Sequence, residues 1–582
     1  MDRKAFFESI RKASPSANLN RENGQFGPET LIAPEESNPG IQGLSGPKGL
    51  TRRTNTGTAA YKGTFGKDEL MHLLRRTLFG VKISDYNVYK GKTLEQAVDA
   101  LLNVSTTLPN PPVNNYGNLV KDPNVPYGST WVNAALDPAV EPQRKGSVKS
   151  WFWGQMVTQS PDIQAKMVLF WHNHFAIQFL EIPDARACYV YTKVLYTHAL
   201  GNFKDLTRAV TIDPAMLFYL NGRLNTKRAP DENYARELQE LFTLGKGPNS
   251  KFTEDDVKAM ARVLTGWSIN PLTNPFSTAF VSVNHDSSDK QFSSFYGNTL
   301  IKGQTGINAG NTELDDLLTM IFKVDEVALF LCRKLYEYFV YYEIDDTVEA
   351  NVIVPLAKVF RDSGYSIKAV LKTLLMSEHF FDSWNRACVI KDPLTQQVGF
   401  CREMELKFPA SNDYFLLYQM YQMGMNFGQL TQLNLGDPPN VAGWPAWYQK
   451  PLFHRSWINS DTLPKRNQFT DYLLFIGHKV GSFTLMADVW IFTKQLTSPG
   501  DADELIAESV SHLLPMSISA AQTATLKEIL LPGGIPDYNW SDEYRAATDA
   551  SDPNHTTAKS TATVKIQYLI KSIMNLSEYQ LS

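Results

Sequence analysis

Long apolar runs are missing from this 582-residue chain, and no stretch approaches the roughly 18 uninterrupted apolar residues of a membrane-spanning helix. An excess of one charge is missing too. The 56 basic and 60 acidic residues leave a formal net charge of -4, so nothing draws the whole chain to nucleic acid or to an anionic membrane. Cysteine is scarce: Cys188, Cys332, Cys388 and Cys401 form no CxxC pair. That spacing excludes a zinc knuckle and a dense disulfide framework, and leaves buried thiols or one long-range disulfide. The sequence also has no nucleophile elbow, phosphate-binding glycine loop, dinucleotide fingerprint or HExxH motif, so the common hydrolase, kinase and dehydrogenase classes receive no motif support. No internal repeat is visible.

What is present is the composition of a globular protein, 43% hydrophobic and 20% charged, long enough to predict more than one compact unit. Aromatic residues make up 12% of the chain; they furnish core area, or surfaces that stack on sugars or partners. Residues 1–7 (MDRKAFF) look like the opening of a twin-arginine export signal with Lys4 in place of the second arginine. Glu8, Ser9, Arg11 and Lys12 then stand where the apolar segment belongs, so the chain is expected to carry no export signal of its own. Residues 13–64 are rich in Ser, Asn, Gly and Pro, too polar to offset their ordering entropy alone. They predict an arm over 1–64 that is disordered or laid across a partner.

The pattern then turns helical. Leu70, Leu73, Leu74 and Leu78 mark one face of a helix ending at Gly80, and a second short helix is predicted over 93–102. Residues 104–147 form a loop too long for a simple connector, either a lid or a wrapped surface loop. Helices are predicted from about Val148 to Leu244. Thr253 with Asp256 signals a capping box for a helix running to about Trp267. Residues 278–296 read as a strand and turn, followed by helices over 313–342, 348–360 and 366–381. From about 467 onward further helices flank a loop near 532–556. The expected fold is mainly α: a large helical domain over 65–470 with a small β-hairpin insertion and long Pro/Gly-rich loops, and a C-terminal helical subdomain over 471–582.

His172 and His174 are the densest candidate metal ligands, since imidazole binds many first-row metals. Their apolar setting predicts burial. Residues two apart on a regular helix point to opposite sides. The pair therefore shares one metal only if the helix breaks there; otherwise they are two core histidines with different partners. Glu232, Arg236 and Glu240 stand at i, i+4 and i+8 as an ion-pair ladder. Glu237 or Glu240 turned inward would instead be a metal ligand or general base, with Arg236 beside it. His285 and Asp286 at a predicted turn are either plain turn residues or a ligand pair. Arg75 and Arg76, following His72, read as an anion-binding patch or as structural forks to carboxylates. His454 follows the 443–445 turn and is placed to close over the same centre.

Several blocks, in order, resemble a bacterial family known as domain of unknown function 1800. They are residues 72–80 (HLLRRTLFG), 170–175 (FWHNHF), 213–217 (DPAML), 232–238 (ENYAREL), 253–257 (TEDDV) and 264–267 (LTGW). His285-Asp286, 332–336 (CRKLY), 363–367 (SGYSI), 438–444 (PPNVAGW) and 457–459 (WIN) continue the match, which covers roughly 65–470. Asp231 stands where relatives usually have Asn. The resemblance implies a mainly helical, typically exported protein, periplasmic or extracellular, with the cytoplasm as the alternative given the incomplete signal. It also implies a partner of the domain of unknown function 1501 family, which resembles sulfatases and phosphatases. Two functions are therefore expected: a subunit of an exported or surface complex, or a metal-dependent hydrolase of an extracellular polymer such as polysaccharide. In the second, His172, His174, His285 and Asp286, with Glu237 or Glu240, hold a divalent ion (zinc, manganese, iron or calcium) that activates water. A third reading has Arg236 and Arg75 binding an anionic or sugar ligand.

Overall fold

Lys67–Thr77 forms the first helix, α1, because Glu69 reaches back to accept the Gly66 N–H at 3.0 Å while Leu70, Leu73 and Leu74 bury the expected face. Beyond it Gly80 takes a φ of +72°, which a side chain resists. A Cβ there would also lie 2.4 Å from the Gly399 Cα. Two backbones therefore touch where the end of α1 meets a later helix. The computed structural model describes residues 55–273 and 276–582, and Thr54–Ser582 fall in one compact unit. Most of the expected 1–64 arm lies outside the described residues. Its last stretch runs without regular structure, tied by an Ala60–Ser377 bridge and by the Tyr61 N–H donating to the Met376 carbonyl at 2.8 Å.

Helices dominate the remainder of the chain, as expected. The predicted 93–102 helix is observed as Leu94–Leu101, capped by Thr93. The long loop after it is a wrapped surface loop whose anchors are buried: Tyr116, Val125, Trp131, and Asp122 paired at 3.0 Å with the enclosed Arg144. Pro142 in the first turn starts α2, Glu141–Val157, seven residues before the apolar pattern becomes visible. The centre of the molecule is α3, Gln164–His174, in which every residue from Ala165 onward is buried, Lys166, His172, Asn173 and His174 included. It packs on α4, Ala185–Thr197. A short helix α5, Asn233–Glu237, widens into a π-turn over Leu238–Thr243.

The capping box of Thr253 and Asp256 starts α6, Glu254–Val263. This helix stops short of Trp267. Thr265 turns its hydroxyl back onto the Arg262 carbonyl and Gly266 takes a φ of +92°. Trp267 then opens strand β1, Trp267–Asn270, which pairs antiparallel with β2, Ser277–Phe280. A further pair, β3 (Lys290–Gln291) with β4 (Leu300–Ile301), comes next. The expected helix over 313–342 is two helices, α7 (Ala309–Ile321) and α8 (Asp325–Phe339), because three residues with turn geometry intervene. Then come α9, Pro393–Glu403, capped by Asp392, and α10, Tyr414–Leu430, which lies along α2. After α11, Thr462–Phe475, a third antiparallel pair joins β5 (His478–Val480) to β6 (Phe483–Leu485). Helix Tyr538–Thr548 occupies part of the expected 532–556 loop, and α12, His555–Met574, packs on α11. All four cysteines are free. Among the described residues no helix is long and apolar enough to cross a membrane.

Candidate functional site

α3 remains helical to its last residue, His174, so the two histidines of the motif diverge. His172 is fully enclosed. Its Nδ1 lies 3.2 Å from the Tyr191 hydroxyl, which itself donates to the Phe175 carbonyl at 2.8 Å. The hydroxyl proton being committed, Nδ1–H is the donor to Tyr191 and Nε2 carries a lone pair with no hydrogen-bond partner. His174 instead donates from Nε2 to the Phe242 carbonyl at 3.0 Å. Burial, helped by Lys149 at one ring and Lys334 at the other, pushes both imidazoles down to about 3. Both are neutral at neutral pH.

The remaining expected ligands have partners of their own. His285 lies between the Thr265 carbonyl at 2.9 Å and Glu313 at 3.0 Å, and Glu313 also binds the enclosed Lys290 at 2.6 Å. Asp286 pairs with Arg262 at 2.7 Å; against its partial burial, Arg262 and Ser288 hold its carboxyl well below the usual range. The structure therefore does not gather His172, His174, His285 and Asp286 at one point. Among the described residues, no group of three or more His, Cys, Asp or Glu side chains is arranged to hold a metal ion. The ladder on α5 forms as drawn: Arg236 reaches Glu232 at 3.3 Å, Glu240 at 3.6 Å and also Glu254 at 2.7 Å. Glu237 turns partly inward, with Oε2 buried and without a hydrogen-bond partner, and burial raises its pKa.

What the structure brings together is a cationic cavity between α1, α3, α8 and the start of α9. Arg75, Arg76, Lys166, Lys334 and Lys391 line it, against the carboxylates of Glu337 and Asp392. The free space is about 50 Å³, room for a few water molecules. Arg75 donates to the Ser511 and His512 carbonyls at 2.9 Å each, and Arg76 to those of Val340 and Asn385 at 3.2 and 2.9 Å. Both thus act as forks, but to backbone carbonyls as well as facing the cavity. Lys166, 5% exposed, hydrogen-bonds Thr395, stands 3.8 Å from Asp392 and lies over the Phe79 ring. Lys391, 7% exposed, sits 4.0 Å over the Tyr579 ring. Among the described residues neither Lys391 nor Lys334 has a carboxylate within ion-pair distance. Burial pushes the Lys166 and Lys391 ammonium groups down to about 8, with Asp392 and Glu403 respectively opposing. Burial raises the Glu337 carboxyl, and Lys334 and Lys450 oppose it.

A second cavity of about 430 Å³ shares Asn173, Lys334, Glu337 and Phe453 with the first. His174 and Glu240 reach its wall, beside Leu241, Phe330 and Tyr448. His454 lines the first cavity, with Nδ1 accepting the Ile390 N–H at 3.2 Å. Of the residues singled out from the sequence, the two cavities therefore collect Arg75, Arg76, His174, Glu240 and His454; His172, Arg236, Glu237, His285 and Asp286 stand elsewhere. The lysines were not anticipated. Lys166 carried a legible signal, a lone cation inside the apolar segment that continues through Met167 and Trp171. A family model described as "Protein of unknown function (DUF1800)" matches residues 72–581, and neither a curated protein nor a solved structure matches the chain.

Proposed function

The chain belongs to the DUF1800 family of proteins of unknown function, and from that premise we propose that it is an anion-binding protein whose ligand enters the cavity of Lys166, Lys334 and Lys391. One observation carries the reading: a space of about 50 Å³ is lined by five cationic and two acidic side chains, with Ser582 also on its wall. Two of the cations lack a carboxylate partner among the described residues. Of these Lys391 is buried, and a buried ammonium left unpaired costs several kcal/mol. A carboxylate, sulfate or phosphate group entering the cavity supplies the missing charge through short charge-assisted hydrogen bonds.

This role suits a subunit of a complex with the expected sulfatase- or phosphatase-like partner, because the esters such partners act on are themselves anionic. Co-elution of the two proteins tests the association separately from binding. Hydrolysis through a metal held by His172, His174, His285 and Asp286 draws no support from the geometry, since each side chain has a different partner.

Calorimetric titration of the full chain with sodium phosphate and sodium sulfate, against sodium chloride, tests the binding. Phosphate or sulfate is expected to bind saturably, and Lys391→Met to weaken that binding at least about tenfold, roughly 1.4 kcal/mol. Lys334→Met is the second variant should Lys391→Met fail to fold. Absence of saturable binding of either anion to the unaltered chain overturns the proposal.

A further inference from the structure

The two cavities differ in size and in charge, and the difference describes a ligand. The inner one, at about 50 Å³, admits a single small group; the outer one, at about 430 Å³, lies within the range of roughly 300–1,000 Å³ typical of ligand pockets. The inner lining is strongly cationic. The outer lining is close to balanced: Lys246 pairs with Glu240 at 2.7 Å and Arg333 with Glu326 at 2.6 Å. Lys334, Lys450 and Glu337 remain there without an ion pair among the described residues. The outer wall also joins flat apolar surface from Phe330 and Tyr448 to polar groups on Asn173, Glu240 and Lys450. That mixture suits a body with an apolar face and hydroxyls at its rim.

Building on the proposed anion binding, we infer that the two cavities take one ligand between them: a saccharide bearing an acidic group. The acidic group enters the inner cavity beside Lys391 and Lys166, and the neutral ring lies in the outer cavity against Tyr448 and Phe330. Lys334 and Glu337, on the shared wall, stand at the junction between ring and anion. The carboxylate of a uronic acid and a sulfate or phosphate ester share this chemistry.

The test compares each acidic sugar with its own anion on the full chain: D-glucuronate with acetate, glucose 6-sulfate with sulfate, and glucose 6-phosphate with phosphate. Glucose and acetyl-Gly-Gly serve as further ligands. At least one acidic sugar is expected to bind about tenfold tighter than its free anion, and glucose alone not measurably. Leu241→Trp, which fills the outer cavity, is expected to reduce that ratio to near one, and Tyr448→Ala to reduce it in the same direction. A ratio near one in the unaltered chain, with the free anions still binding, overturns the two-cavity inference and leaves the anion-binding reading standing. Tighter binding of acetyl-Gly-Gly than of every acidic sugar overturns the saccharide class. If no anion binds at all, the underlying reading fails, and this inference with it.

Discussion

Replacing Asp213 by asparagine is expected to make the protein more stable at neutral pH and to change nothing in acid. Asp213 caps the short helix Pro214–Tyr219, with Oδ1 accepting the Ala215 and Met216 N–H groups at 2.8 and 3.3 Å. Its other oxygen, Oδ2, is buried without a hydrogen-bond partner, and the residue is 2% exposed. Burial raises the carboxyl from 3.8 to about 7 against those two backbone hydrogen bonds. A folded-state pKa above the unfolded value means that the folded protein holds the proton more tightly. Stability therefore falls as pH climbs between about 4 and 7, and the full penalty is present above 7. At about 1.4 kcal/mol per pKa unit, the upper bound is about 4 kcal/mol. Asparagine keeps the capping acceptor and has nothing to ionise. Urea unfolding of both proteins at pH 5, 6, 7 and 8 separates this group from His172, His174 and His512, which titrate identically in the two chains. The difference should grow with pH to at least about 2 kcal/mol in favour of Asp213→Asn. Parallel pH profiles for the two proteins would refute the reasoning.

Gly80→Ala places a Cβ 2.4 Å from the Gly399 Cα at a φ of +72°. A loss of about 3 kcal/mol or more is expected from backbone strain and the clash, and an unchanged denaturation midpoint would contradict it. Glu313→Gln removes the one negative charge that pairs with Lys290 among the described residues while leaving that ammonium enclosed. The expected cost is about 3–5 kcal/mol, read by the same measurement, and a loss below about 1 kcal/mol would mean that water reaches Lys290.

The parts of the fold legible in the sequence are those whose cause is local. Thr253 and Asp256 cap α6 through contacts three residues apart, and the leucine spacing of α1 needs only its own helix to be recognised. The misplaced boundaries have causes that lie in φ angles or in distant contacts. α6 ends early because Gly266 turns left-handed and Trp267 finds Phe280 across a hairpin. The start of α2 was hidden because Arg144 and Glu141, which look solvent-facing in sequence, are a buried pair holding the 104–140 loop.

Part of the candidate site was legible in the sequence: Arg75, Arg76, His174, Glu240 and His454 reach the two cavities. The i, i+2 argument holds, and its consequence is that the residue between the histidines matters as much as they do. Asn173 lies on the wall of both cavities, and its Oδ1 accepts the Trp444 N–H at 2.9 Å. Gly443, at a φ of +92°, has no room for a side chain, since a Cβ would sit 2.2 Å from that same oxygen. Two separated blocks of the sequence, 170–175 and 438–444, thus meet in one hydrogen bond that fixes a loop at the cavity edge. The cations that define the cavity come from positions 75, 76, 166, 334 and 391. No spacing rule links residues so far apart. Lys166, Lys334 and Lys391 look like ordinary lysines until α1, α3, α8 and the start of α9 pack, whereas the adjacent Arg75 and Arg76 already read as an anion-binding patch or as structural forks. Histidines drew attention because their chemistry is recognisable singly, whereas a cationic cavity exists only as a set. The signal available beforehand was a mismatch of context: Lys166 directly before the apolar run Met167 to Trp171, and Lys391 directly after Val389 and Ile390. A charge placed where burial is certain must meet a partner or a ligand; Lys166 meets Asp392 and Thr395, so Lys391, with no carboxylate partner among the described residues, is the stronger support for the proposed anion binding.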